Sequence, residues 1–76
     1  MELEIENIRW LVENDGEISI GRFGPSKCAA IASIDGNMIA ALEKKKNEPL
    51  EDLLTRFDTA INQALEDQVY IDEINN

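Results

Sequence analysis

Seventy-six residues leave room for one small domain, 1–76, whose core holds only a thin margin over chain entropy. Sixteen Asp and Glu against seven Lys and Arg give a formal charge of -9 and a pI near 4.2, which argues against direct nucleic-acid binding, because neutralising phosphates takes clustered cations. The chain has no His and one Cys, Cys28, so an internal disulfide is impossible and the commonest general base and metal ligand is missing. An enzyme, a metal site and a cofactor are therefore not expected.

The first residues, Met1 to Glu6, are acidic where a signal peptide is cationic, and no segment approaches the ~18 apolar residues of a membrane span. A cytoplasmic protein is expected. Ile8, Trp10 and Val12 alternate with Asn7, Arg9 and Glu13, with Leu11 interrupting the polar set. This period of two predicts a strand from Leu3 to Val12, kinked near Glu6-Asn7, with Trp10 in the core. Asp15-Gly16 has the chemistry of a tight hairpin, and Ile18 and Ile20 resume the alternation in a second strand.

Phe23 to Lys27 reads as a further turn. Cys28 to Ile34 suits either a helix, which its alanines favour, or a third strand, which its shortness between two turn signals favours. After Asp35-Gly36, Asn37 can cap a short helix reaching Lys46, whose last turn would hold Lys44, Lys45 and Lys46. Pro49 then stands at the first position of a long helix to about Asp67, with Leu50, Leu53, Leu54, Phe57, Ala60, Ile61, Ala64 and Leu65 on one face. Val69 to Asn76 is too apolar for a solvated tail and is expected to dock. The fold class expected is α+β, a three-stranded antiparallel sheet in β-β-β-α-α order with one face covered by the C-terminal amphipathic helix.

Gly21-Arg22-Phe23-Gly24 has the spacing of the Gly-x-x-Gly loop with which KH-type domains clamp a nucleic-acid backbone. The resemblance ends at these residues: KH domains set the loop between helices, a strand precedes it here, and the chain is acidic. Asp35-Gly36-Asn37 fails as a calcium loop because Ile39, Ala41 and Lys46 occupy later ligand positions. The Asp-Ser-Leu of acyl carrier proteins is absent, which excludes that family. Cys28 lacks a neighbouring base and reads as a small apolar residue.

What remains is a protein-protein interaction module. Charge is uneven, with net -5 over residues 1–17, +2 over 18–50 and -6 over 51–76. Glu13, Glu17, Glu51, Asp58 and Glu66 are the candidate acidic contacts of an inhibitor or regulator, of the phage or mobile-element kind, that occupies the basic surface of a nucleic-acid-handling protein. Trp10, Tyr70, Ile71 and Ile74 are the candidate apolar contacts. The alternative is a structural or assembly subunit, a homodimer formed through an apolar sheet face or the C-terminal tail.

Overall fold

The computed structural model describes residues 3–74; Glu2 and the last two residues of the expected tail segment, Asn75 and Asn76, lie outside them. The elements are α1 (Glu6–Glu13), β1 (Glu17–Phe23), β2 (Ser26–Ile34), β3 (Asn37–Glu43), α2 (Leu50–Asp67) and β4 (Ile71–Asp72). The fold is α+β with a sheet and a C-terminal helix. It differs from the expected β-β-β-α-α order in opening with a helix and in having a mixed sheet of four strands, β1-β2-β3-β4, whose last pair is parallel.

The first correction is α1, where a strand was expected. Ile5, Ile8 and Leu11 recur every third residue, and that row decides the structure: Leu11 is fully buried and Ile8 packs against the core. Trp10 consequently points outward and is 49% exposed, so it is not a core residue. The second correction concerns the Asp-Gly pairs. Asp15-Gly16 ends α1, with Asp15 at φ 67 and the Gly16 N–H donating to the Leu11 carbonyl at 2.8 Å. The tight hairpin forms at Asp35-Gly36, both at positive φ (52 and 80), between the paired Ile34 and Asn37. Asn37 therefore starts a strand, and the short helix expected up to Lys46 does not form.

The long helix is as expected except that Pro49 is its N-cap and Leu50, its first residue, is exposed and not part of the buried face. α2 lies over β2 and β3, and α1 over β1. Leu53, Phe57 and Ile61 are fully buried against Leu11, Ala30, Ala32, Ala40 and Leu42. The strand alanines make a low floor that lets the helix approach closely. Ile18 joins this core, whereas Ile20, expected there too, is 46% exposed because the helices stop short of it. On the opposite face Ala29, Ile31 and Ala41 form a smaller cluster with Ile74.

The tail docks on its own chain. Ile71 and Asp72 pair with Ala40 and Ala41, and the Glu73 N–H donates to the Ala41 carbonyl (2.8 Å). Arg56 fastens this edge. Its guanidinium donates to Glu48 (2.9 Å), to Glu73 (3.0 Å) and to the Glu43 carbonyl (3.0 Å), while Glu73 accepts from the Glu43 N–H (2.9 Å). Hydrogen bonding to Arg56, helped by the Lys45 N–H, lowers the Glu48 pKa from 4.5 to about 2.

Candidate functional site

Connectivity gathers the two helix C-termini at one end of the molecule. α1 runs down to Glu13 and turns into β1 at Glu17, which pairs with Ser33 beside the Asp35-Gly36 hairpin. α2 brings Leu65 and Gln68 to the same hairpin, where they line a depression with Ile34, Asp35, Asn37 and Tyr70. Glu13, Asp15, Glu17, Asp35, Glu66 and Asp67 are all exposed there. Neither helix has a base in its last turn. Carboxylates at a helix C-terminus face the negative end of the macrodipole, an arrangement that costs stability instead of adding it.

Aromatic side chains are set among these charges. Asp58, on α2, accepts hydrogen bonds from the Asn7 N–H (2.8 Å), the Ile8 N–H (2.8 Å) and the Asn7 side-chain amide (2.9 Å). Those two backbone groups are the donors an N-cap side chain would satisfy, and Ile5, at the N-cap position, makes no such bond. Fixed in this way, α1 places Trp10 beside Leu65 and Glu66 over a hollow of about 360 Å³. Gln68, in the left-handed conformation at φ 55, ends α2 and turns the chain so that Tyr70 stands out at 64% exposure. Leu65 lines the hollows of both aromatics, with Glu66 on that of Trp10.

The structure sets Glu66 beside Trp10 on one hollow and Tyr70 on the next, with Leu65 common to both, while Glu13 and Glu17 flank the turn into β1, at the sheet margin opposite β4. Glu51 lies in the first turn of α2, at the far end. Asp58 is 7% exposed and engaged with α1, which removes it from the acidic surface. Ile71 and Ile74 are half-buried against their own sheet. Sequence reasoning missed Leu65 as the residue common to the two hollows, along with the contribution of Asp35. The row Ile5, Ile8, Leu11 was the signal that would have placed Trp10 beside Leu65.

The lysines are gathered at the other end. All four lysines, Lys27, Lys44, Lys45 and Lys46, line a depression of about 480 Å³ with Pro25, Ser26, Cys28 and Glu43. Cys28 is a half-buried free thiol. Among the described residues no group of three or more His, Cys, Asp and Glu is placed to hold a metal ion, and no helix is long and apolar enough to cross a membrane. Comparison with protein-family models, curated protein sequences and solved structures finds no match.

Proposed function

We propose that the chain is a small cytoplasmic interaction module that applies its acidic end to the basic surface of a nucleic-acid-handling protein, as an inhibitor or regulator of the kind encoded by phages and mobile elements. The observation that carries this reading is the placing of exposed Glu13, Glu66 and Asp67 at helix C-termini, where the fold gains nothing from them, around an exposed Trp10 and Tyr70. The carboxylates would supply long-range attraction and raise the association rate, while the exposed aromatics would supply contact area.

The experiment is affinity capture from a host lysate at low and raised salt, with quantitative mass spectrometry. The parent is expected to retain basic nucleic-acid-handling proteins, released by added nucleic acid and by salt. Glu13→Gln, Glu17→Gln and Glu66→Gln together should deplete that set without altering the fold. A captured set indifferent to the triple variant and to competing nucleic acid would overturn the reading.

A further inference from the structure

Strand β1 is the open margin of the sheet, paired on one side only. Five of its seven residues are exposed. Such margins are normally protected by Lys, Pro, a bulge or a covering segment, because their unpaired N–H and C=O groups accept another strand. β1 carries Glu17 at its start and Arg22 and a ladder irregularity near its end, but Ile18, Ser19 and Ile20 between them have no charge, Pro or bulge. At the other margin the tail pairs with Ala40 and Ala41 of β3, and β4 presents an edge of only two residues.

Apolar side chains line this open margin. Ile20 pairs with Ala30 on the helix-covered face and is still 46% exposed, and Phe23 is exposed at the strand's end. On α1, Trp10 and Val12 lie about 100° to either side of Leu11. Trp10 is on the α2 side, next to Leu65, so Val12, 56% exposed, is on the flank towards the β1 margin.

We propose that β1 pairs antiparallel with β1 of a second copy about a two-fold axis through Ser19, joining two sheets into one. An axis normal to the sheet keeps the helices of both copies on one face, so facing residues must share a face. Centred on Ser19, the pairing sets Ser19 against its equivalent, Ile18 against Ile20 of the second copy, and Glu17 against Gly21. Ile20 is thereby covered by another isoleucine. Centred on Ile20, it would set Ile18 against Arg22. Asp15 precedes the strand, Glu17 opens it and Arg22 lies near its end, so in this register Arg22 of each copy falls opposite Gly16 and diagonal to Asp15 and Glu17 of the other, unlike charges near both ends of the seam. This self-complementarity selects a second copy as the occupant.

Sedimentation equilibrium from micromolar to millimolar protein tests it. The parent is expected to form dimers, favoured by salt, because screening relieves repulsion between two chains of charge -9. That dependence is opposite in sign to the lysate capture above, so the two ideas fail separately. Ile20→Lys, at a side chain already exposed, should keep the parent's circular dichroism and weaken dimerisation about tenfold or more, by placing a charge in a desolvated seam. In a Cys28→Ser background, Ser19→Cys should form a disulfide-linked dimer on mild oxidation, since facing Cα atoms at the axis stand about 4.5–5.5 Å apart. Glu17→Cys should not, its copies being roughly 13 Å apart along the seam. A parent monomeric at every concentration and salt would overturn the proposal. So would a dimer that Ile20→Lys leaves intact and Ser19→Cys fails to trap.

Discussion

Gly16 occupies a site that only a residue without a side chain can fill. A Cβ there would stand 2.6 Å from Leu11 Cδ1 and 2.8 Å from the Leu11 carbonyl oxygen, and Leu11 is fully buried with no room to retreat. Gly16→Ala is expected to cost about 1–3 kcal/mol, read as a fall of roughly 4–8 °C per kcal/mol in the melting temperature of a domain this size. Asp58 is the second residue on which the N-terminal helix depends. Asp58→Ala would leave the Asn7 and Ile8 N–H groups without their acceptor, at a cost of about 2–3 kcal/mol. Its signature should be local: faster hydrogen exchange at Asn7 and Ile8 and a change in Trp10 fluorescence, with Asp58→Asn restoring part of both. Equal protection of those amides in the parent and the alanine variant would show that α1 does not rely on this carboxylate.

At the scale of elements, the C-terminal strand is held by very little backbone pairing, two residues of β4, and by the side chains of Arg56 and Glu73. Arg56→Ala should therefore loosen the tail selectively, raising exchange at the Glu43 and Glu73 amides while the α2 amides stay protected. Glu48 adds a pH dependence. Its folded-state pKa is depressed from 4.5 to about 2, so its stabilisation is present above pH 4.5 and is lost as pH falls from there through about 2. Urea midpoints measured across that window should fall less steeply for Glu48→Gln than for the parent. The elements differed in how far the sequence exposed them. α2 was legible because its apolar face repeats over four turns, whereas Cys28 to Ile34 stayed open between helix and strand because its alanines favour one and its bounding turns the other. α1 was not, since eight residues with Ile8, Trp10 and Val12 satisfy a period of two as readily as Ile5, Ile8 and Leu11 satisfy a helix. The Asp-Gly signal was sound, but it occurs twice, and only the backbone distinguishes a helix stop from a hairpin. Of the candidate site, Trp10, Tyr70 and Glu66 were visible as residue types. The placing of Trp10 beside Leu65 and Glu66 was not, because it requires α1 to be a helix.

Trp10 and Tyr70 lie with Glu13, Glu66 and Asp67 towards one end of the molecule, and the lysines line a depression at the other, where Glu43 also lies. If the acidic end is kept for binding, it should be a poor choice for stability. Glu13→Gln and Glu66→Gln are accordingly expected to raise the stability of the isolated protein, by about 0.3–1 kcal/mol each at low ionic strength, while weakening capture of a basic partner. Calorimetry showing no gain, or a loss, would mean that these carboxylates support the fold and were never set aside for a partner. The link between Asp58 and Asn7, fifty-one positions apart, also governs the order in which the protein can assemble as it is made. A helix of eight residues is marginal alone in water, and here its capping group is translated long after it. α1 must therefore wait, unformed, until the ribosome has made the chain beyond Asp58. α1, made before the carboxylate that caps it, is expected to be among the last elements to become ordered, and nascent chains halted before α2 should show no protection at Leu11.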